Sequence, residues 1–467
     1  KVGLFLLALL IVNVAVAGHS KSEWKKRSIY QVLTDRYAKD DGDTSACQNL
    51  GNYCGGTYKG LIKNLDYIQG MGFDAIWVSP ILKNLDGGYH GYWATDFYSL
   101  NENFGSEQDF KDLVSELHKR GMWIMVDVVA NHVAPVGTNY GGINPFNQAE
   151  HYHDYCVISD SDFASHNQDH IENCRLADLP DLNQENQYVQ DTLLGWIKEF
   201  VQKYNIDGLR IDTIPEVPKW FWQKFQSSAG VYAVGEVFDG DLGYVSDYQN
   251  YLDAVLNYPL RFAIYDVWHN GNNFYRLQQQ LKDDANQFKD VSALGVFVDN
   301  HDNARFLYQN SNTQGFKAAL IYGMFAEGIP IVYYGSEQMY GGGPDPKNRE
   351  QLWTNMDTSS ELYKMMKAVN EVRKDHKVWD ADYVERYIDD DFYAFSRGDV
   401  LVALTRQDGN MSRKVTYLPF EDGDVVCNIF NGSDCITVDG GIEINLDNYQ
   451  TKVYVKKDRM PAIEATE

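Results

Sequence analysis

Three acidic residues stand at the ends of short apolar runs in this chain. Asp212 closes the run GLRID, Glu236 follows AVG, and Asp302 closes FVDNHD. Carboxyl groups can divide the work of a reaction, because one can attack or stabilise charge as the anion while another donates a proton. These residue types predict general acid–base and nucleophilic chemistry.

Arg210 and Asp212 are separated by a single residue. Residues two apart in a strand point to the same side, and a guanidinium favours the ionised form of a neighbouring carboxyl. An ionised carboxylate held in this way can act as a nucleophile, although a structural ion pair would have the same spacing. The two further acids at run ends favour the nucleophile.

Glu236 stands among apolar residues, and Gly235 before it leaves room for a ligand. Partial burial raises the pKa of a carboxyl, which can then hold a proton for donation. Two carboxyls about 5 Å apart cleave glycosidic bonds with retention of configuration, and Asp302 would be a third acid. His132 and His301 adjoin the strand-end acids and can donate to sugar hydroxyls or to those acids.

Strand-like apolar runs alternate with amphipathic stretches of helical length between Ser28 and Tyr334. Eight such runs predict parallel strands that close into a barrel, with functional residues at the C-terminal strand ends. A doubly wound open sheet is the competing fold. It would require a Gly-rich phosphate turn after its first strand, and the segment VLTDRYAKD has none. We expect an α/β fold: a (β/α)8 TIM barrel with a loop domain inserted after strand 3 and a C-terminal all-β sandwich domain.

The domain boundaries follow from changes in this pattern. The segment after the third strand is too long for an ordinary connection, and alternating runs with Asp-Gly and Asn-Gly turns begin after about Lys377. The predicted segments are a signal peptide at residues 1–17, catalytic barrel at 18–131, inserted loop domain at 132–186, barrel again at 187–376, and β-sandwich domain at 377–467.

The first segment indicates secretion. It has one cation, an apolar run and the ending Ala15-Val16-Ala17, as secretory signal peptides do. A short membrane anchor is the alternative, but a run of this length interrupted by Asn is marginal for spanning a bilayer. The N-x-S sequons at Asn410 and Asn431 also fit a secreted, glycosylated surface.

Six cysteines fit an oxidising compartment. They allow many connectivities, of which pairing between sequence neighbours is the simplest. A zinc site is the rival interpretation, but no CxxC or clustered His accompanies any pair. The expected disulfides are Cys47–Cys54, Cys156–Cys174 and Cys427–Cys435.

Charge narrows the set of partners. The formal net charge is -25, from 41 basic and 66 acidic residues. This excess repels nucleic acid and anionic membrane surfaces, so we expect neither as a partner. Neutral ligands and cations remain, and we expect a monomer.

Ordered motifs give the chain a family resemblance. The segments DVVANH, GLRIDT, GEVFDG and FVDNHD resemble the four signature regions of the α-amylase family, glycoside hydrolase family thirteen, and YHGYW, SLNENFG and LPDLN add to it. The resemblance runs from about Trp24 to Trp353 and is greatest to secreted fungal-type α-amylases. It implies a retaining, endo-acting hydrolase of internal α-1,4-glucosidic bonds in starch, glycogen and maltooligosaccharides, working through a glycosyl-enzyme intermediate.

Residue roles carry over from the same motifs. The resemblance implies Asp212 as nucleophile, Glu236 as general acid/base and Asp302 as stabiliser of the transition state, with Asp127 behind them. Tyr92 would stack on the sugar at the cleavage site. The further substrate-binding residues that it implies are His90, Trp93, His132, Arg210, Glu216, His301, Asp345 and Arg349.

A structural calcium ion is also implied by the resemblance. Its ligands would be the side chains of Asn131 and Asp181 and the main-chain carbonyls of Glu172 and Glu216. All are hard oxygen ligands, as Ca²⁺ requires. The ion would tie the inserted loop to the barrel.

The sequence departs from the resembled amylases at Pro215-Glu216, where they carry Lys-His. Proline has no donor, and Glu places a negative charge where those enzymes have a cation, so we expect altered binding on the leaving-group side. Glu at this position also resembles the neopullulanase and cyclomaltodextrinase branch. An α-glucanotransferase or neopullulanase-like enzyme is therefore the alternative, and a barrel protein without catalysis is a remote one.

Overall fold

The computed structural model describes residues 18–461. The signal peptide predicted at residues 1–17 lies outside the described residues. Within the described part of the chain, no helix combines the length and the apolar character needed to cross a membrane.

The strands are short, as expected for a barrel followed by a β-domain. They are β1 (Ile29–Val32), β2 (Ala75–Val78), β3 (Leu82–Asn84), β4 (Ala94–Leu100), β5 (Trp123–Val128), β6 (Gly208–Ile211), β7 (Tyr232–Gly235), β8 (Ala254–Val255), β9 (Gly295–Val296), β10 (Ile329–Tyr333), β11 (Tyr383–Ile388), β12 (Phe392–Arg397), β13 (Val400–Thr405), β14 (Met411–Val415), β15 (Val425–Asn428), β16 (Asn431–Thr437), β17 (Ile442–Leu446) and β18 (Thr451–Lys456).

The helices lie mainly in the connections between the barrel strands. They are α1 (Lys21–Trp24), α2 (Thr34–Tyr37), α3 (Tyr58–Lys63), α4 (Leu65–Gly70), α5 (Glu107–Lys119), α6 (Asp160–Ser165), α7 (Gln168–Asn173), α8 (Gln187–Tyr204), α9 (Lys219–Ala229), α10 (Leu242–Asp247), α11 (Tyr258–Trp268), α12 (Phe274–Gln287), α13 (Thr313–Phe325) and α14 (Glu361–Asp375).

Eight parallel strands form the barrel in the order β8-β7-β6-β5-β2-β1-β10-β9. A bridge between Leu256 and Gly295 joins the two end strands. Strands buried on both faces read as continuous apolar runs, which is why their positions could be recognised. The predicted (β/α)8 fold is confirmed.

Two layers of apolar side chains surround the barrel strands. Ile29, Trp77 and Met125 belong to an inner cluster, whereas Leu209 and Ile211 belong to the larger cluster that also contains the helices. Because side chains alternate along a strand, Leu209 and Ile211 pack outward and Arg210 between them is directed inward.

The segment after β5 contains the two short helices α6 and α7 and little other regular structure. Bridges between His132 and Asp181 and between Tyr152 and Leu182 close it on itself. The Cys156–Cys174 disulfide spans both helices, so covalent and backbone links order a segment with a small apolar core.

The C-terminal region is all-β. One sheet has six strands in the order β11-β12-β13-β18-β15-β16, and β14 and β17 form a second, two-stranded sheet. An apolar cluster including Phe392, Leu401 and Ile444 lies within this region. The prediction of a C-terminal β-domain is confirmed, and the cysteines are joined in the three expected pairs.

Candidate active site

Arg210 lies at the centre of the acidic cluster and is fully buried. Its Nη1 donates to Asp212 Oδ1 at 2.6 Å and to Asp127 Oδ1 at 2.9 Å. Its Nη2 lies 2.8 Å from Glu236 Oε2 and 4.0 Å from Asp302 Oδ2. One guanidinium therefore holds together the acids that end β5, β6 and β7 and the acid after β9, as a planar, permanently charged fork allows.

Glu236 is the acid whose environment most favours a bound proton. Burial raises the pKa of Glu236 well above its ordinary value, the nearby carboxylates of Asp302 and Asp212 add to the effect, and Arg210 opposes it. Tyr258 donates to Glu236 Oε1 at 3.3 Å. A carboxyl in this state is suited to donate a proton at neutral pH.

Asp127 anchors the floor of the site. It accepts hydrogen bonds from the Trp77 indole (3.1 Å) and the Tyr92 hydroxyl (2.8 Å), besides those from Arg210. Its burial raises the pKa of Asp127 to about 7. The Tyr92 hydroxyl also lies 2.7 Å from His301 Nε2, and the two rings are stacked with an interplanar angle of 2°. Tyr92 is thereby fixed beside the acids.

Asp302 is the most accessible of the three acids, with 27% of its side chain exposed. Arg349 Nη2 lies 3.5 Å from Asp302 Oδ1, and Arg349 Nη1 lies 3.0 Å from Asp345 Oδ1. The same guanidinium donates to the His301 carbonyl through Nε at 3.0 Å. Arg349 thus joins Asp302 to Asp345, and the binding of a more distant glucose unit by Asp345 and Arg349 stays a prediction.

The remaining predicted substrate residues surround Tyr92. His132 Nε2 lies 3.2 Å from the Tyr92 carbonyl oxygen, and His90 Nδ1 accepts a hydrogen bond from the Tyr92 amide at 3.1 Å. The ring centroids of His90 and Trp93 are 4.7 Å apart. Burial lowers the pKa of His90 to about 3, with the Arg349 charge adding to the effect, and burial also lowers the pKa of His132. Both imidazoles are neutral hydrogen-bonding groups here.

The three acids open into a cavity of about 490 Å³, which is the size of an oligosaccharide subsite. Its other lining residues include Tyr92, His132, Phe163, His166, Pro215, Glu216, Phe238, Asp239 and Tyr244. A larger cleft of about 870 Å³ lies between α13, α14 and the C-terminal β-domain and contains none of the acids. We place the chemistry in the smaller cavity because the reactive groups are there.

Glu216 lines this cavity with a buried side chain. Burial raises the pKa of Glu216 to about 8, and the charges of Asp212 and Asp181 contribute. Its Oε2 has no hydrogen-bond partner among residues 18–461. A buried carboxyl oxygen without a partner is costly to leave unsatisfied, so Glu216 can form a hydrogen bond with a ligand.

Three of the four residues expected to bind calcium meet where the inserted segment contacts the barrel. One end of the Asn131 amide lies 2.8 Å from Asp181 Oδ1 and 3.2 Å from the Glu216 carbonyl oxygen. An amide nitrogen placed there donates to both, and an amide oxygen placed there completes a set of three hard oxygens. The other Asp181 oxygen lies 2.7 Å from His153 Nδ1, and burial raises the pKa of Asp181 to about 7.

The donor set fits a hard cation in chemistry, since carboxylate, amide and carbonyl oxygens are what Ca²⁺ prefers. The side chain of Glu172 accepts a hydrogen bond from Gln168 at 2.7 Å, and the role of the Glu172 carbonyl stays a prediction. Among residues 18–461, no three His, Cys, Asp or Glu side chains cluster in a way that could hold a metal ion. A site here therefore depends on amide and main-chain oxygens.

Several residues in or beside the cavity were not recognised from the sequence. Tyr258 comes after β8 and touches Glu236, and Phe238 has 53% of its surface exposed beside the cavity. His166 and Tyr244 also line it. Phe238 could have been found from its place two residues after Glu236. The others depend on loop paths that no local pattern reveals.

The arrangement of acids at the mouth of an eight-stranded parallel barrel is that of a barrel-type glycoside hydrolase. Residues 31–385 match the family model described as Alpha amylase, catalytic domain. The chain is 44% identical over 397 residues to Alpha-amylase 2 of Schwanniomyces occidentalis, covering 82% of this chain and 78% of that protein. It is 37% identical over 460 residues to the Alpha-amylase of Saccharomycopsis fibuligera, covering 93% and 92%.

Solved structures that resemble this chain include further α-amylases. The α-amylase from Malbranchea cinnamomea superposes with a TM-score of 0.90 at 38% identity, covering 96% of this chain and 100% of that one. An Anoxybacillus α-amylase superposes with a TM-score of 0.84 at 32% identity, covering 95% and 99%. This chain belongs to the α-amylase family.

Proposed function

We propose that this protein is a secreted α-amylase, which hydrolyses internal α-1,4-glucosidic bonds of starch, glycogen and maltooligosaccharides with retention of configuration. The observation that carries the proposal is the contact of Arg210 with Asp212, Glu236 and Asp127 at the barrel mouth. The kinship with fungal α-amylases supports the same substrate class.

The roles of the acids follow from their surroundings. Asp212, ion-paired with Arg210, attacks the anomeric carbon, and the C–O bond to the leaving sugar breaks. Glu236 holds a proton and donates it to the departing oxygen. Glu236 then removes a proton from a water molecule that attacks the glycosyl-enzyme, which releases the sugar and restores Asp212. Asp302 stabilises the positive charge that develops on the ring.

Neighbouring side chains position the sugar. Tyr92 presents a ring that His301 stacks against and holds, and a sugar's C–H face packs well on an aromatic plane. His132 lines the same cavity and would hydrogen-bond a sugar hydroxyl. Arg349 and Asp345 would hold a glucose unit further from the scissile bond. The His90 ring lies against Tyr92, and Trp93 lies against His90.

A calcium ion would be held by Asn131, Asp181 and the carbonyls of Glu216 and Glu172. It would supply structural order by tying the inserted segment to the loop that follows Asp212. The segment 132–186 would then act as a domain between the two parts of the barrel, at 18–131 and 187–376, with the β-sandwich domain at 377–467. The three disulfides fit the extracellular location proposed for the mature protein.

Product analysis tests the proposal. Purified protein is incubated with starch, pullulan and maltoheptaose, and the products are separated by chromatography. We expect a rapid fall in starch chain length, slow or absent attack on pullulan, and products of retained configuration by NMR. Glu236→Gln should abolish activity while the circular dichroism spectrum is kept, and full activity in this variant would overturn the site assignment.

The alternative function is transfer of the glycosyl group to a sugar. Glu216 favours it, because its carboxyl lines the cavity of the acids and has an oxygen without a partner among residues 18–461 that can hydrogen-bond an incoming sugar hydroxyl. Incubation with maltopentaose decides between the two, since transfer yields products longer than the substrate. Pro215→Lys/Glu216→His should reduce any such products, and an unchanged pattern would show that the pair does not govern acceptor binding.

A further inference from the structure

The segment between Cys156 and Cys174 lines the cavity at His166, the residue that directly follows α6. His166 adopts a left-handed backbone conformation (φ 50°), which His tolerates better than most residues. Its ring lies on that of Tyr244 with centroids 4.0 Å apart and an interplanar angle of 5°. Its Nε2 lies 2.8 Å from Asp239 Oδ2. One imidazole thus contacts both the loop after β7 and helix α10.

Asp239 is held from both sides. Its Oδ1 accepts a hydrogen bond from the Asp241 amide at 2.7 Å, while its Oδ2 faces His166. The carboxylate therefore links the inserted segment to the loop that begins with Glu236. Hydrogen bonds to an ionised partner are about twice as strong as neutral ones, so this link resists separation of the two loops.

A second group of contacts lies two residues further along. Gln168 Nε2 donates to the Pro215 carbonyl at 2.8 Å and to the Tyr248 hydroxyl at 3.2 Å. The Tyr244 hydroxyl donates to Gln168 Oε1 at 2.8 Å. The segment therefore also contacts the loop after β6, which carries Asp212. All of these partners lie far from His166 and Gln168 in sequence.

These contacts border the leaving-group side of the cavity. Glu236 must face the departing oxygen in order to protonate it, and Asp239 comes three residues later in the same loop. His166, Asp239 and Tyr244 line the cavity of the three acids, whereas Asp345 and Arg349 do not. The exposed ring of Phe238 stands beside Asp239 and offers an apolar face to a sugar ring.

We propose that the His166–Asp239 pair is a clasp that bounds the leaving-group side of the cleft and determines which bond of a glucan chain is cut. The proposal rests on the proposed hydrolysis of α-glucans. The clasp fixes the loop that carries Phe238 against the inserted segment, and Gln168 of that segment contacts Pro215. A glucose unit on the leaving-group side would therefore lie between Phe238 and Pro215. His166 is a specificity-determining residue that acts through the position of the loop after Glu236.

Two substrates that differ in what they place on the leaving-group side test the clasp. Maltoheptaose places glucose units there, whereas 4-nitrophenyl α-maltotrioside cleaved at its aryl bond places none. We expect His166→Ala to lower the ratio of kcat/KM for maltoheptaose to kcat/KM for the aryl glycoside by about tenfold, as loss of one hydrogen bond to a charged group predicts. The cleavage positions in reducing-end-labelled maltoheptaose should shift as well.

Matched variants separate the clasp from a general loss of structure. His170→Ala removes a histidine from the same segment, 3.2 Å from Asp162 and outside the cavity, and should leave the ratio unchanged. The double variant His166→Ala/Asp239→Asn should have the same ratio as His166→Ala alone, because the two substitutions remove the same contact. His166→Gln keeps a donor and should recover part of the ratio.

The outcomes are separable. An equal loss on both substrates, or an unchanged cleavage pattern in His166→Ala, would overturn the clasp while leaving the proposed hydrolysis intact. Wild-type protein that cleaves neither substrate would overturn the proposed function, and the clasp with it.

Discussion

Arg210 Nη2 lies 2.8 Å from Glu236 Oε2, yet the pKa of Glu236 stays well above its ordinary value. Burial of the carboxyl and the neighbouring acids outweigh the guanidinium, because Arg210 is shared with Asp212 and Asp127. One cation among several carboxyls leaves an excess of negative charge, and a proton on one acid relieves it. The geometry therefore favours a bound proton on Glu236.

Arg210→Lys should lower kcat/KM on maltoheptaose about 100-fold, because an ammonium on a flexible stem cannot contact three carboxyls in one plane. The measurement is initial-rate kinetics on purified protein. Arg276→Lys alters an ion pair with Asp266 at the surface and should match the wild type. A loss of less than threefold in Arg210→Lys would contradict the central role of this residue.

The raised pKa of Glu236 predicts an alkaline limit to activity. The protonated carboxyl is the donor, so kcat/KM on maltoheptaose should fall as pH rises through the raised pKa of Glu236. The aryl bond of 4-nitrophenyl α-maltotrioside should show a weaker fall, since nitrophenolate departs with little help from an acid. If kcat/KM falls identically at alkaline pH on the two substrates, a group other than Glu236 sets the limit.

Removal of calcium should destabilise the protein. A ligand that binds only the folded state at about 100 times its Kd adds about 2.7 kcal/mol, so a chelator should lower the melting temperature and added Ca²⁺ should restore it. Asp181→Asn should blunt this response, and Asp169→Asn in the same segment should keep it. A melting temperature insensitive to chelator and to added Ca²⁺ would remove calcium from the proposal.

Loss of the Cys156–Cys174 disulfide should cost about 3 kcal/mol in the free energy of unfolding, as expected for a closed loop of this length. The measurement is urea denaturation of the Cys156→Ser/Cys174→Ser variant. Because His166 lies within this loop, cleavage positions in maltoheptaose should become less selective. A variant as stable and as selective as the wild type would show that backbone contacts alone order the segment.

Local sequence patterns determined the barrel, the C-terminal β-domain and the positions of the acids. Apolar runs with helical stretches between them are readable because each strand is buried on both faces. Once the barrel is inferred, Asp127, Asp212 and Glu236 must converge, since parallel strands carry their C-terminal ends to one face. The disulfides were likewise inferred correctly, because each pair is close in sequence.

Only the tertiary structure decided which residues complete the cleft. The contacts of His166 with Asp239, of Tyr258 with Glu236 and of Gln168 with Pro215 join loops whose paths are set by packing over the barrel mouth. No periodicity records such pairings, because each depends on the conformations of two irregular segments at once. GLRIDTIPEV therefore identified the acid Asp212 from its place in a strand, while the surroundings of Pro215 and Glu216 became known only when the loops were in place.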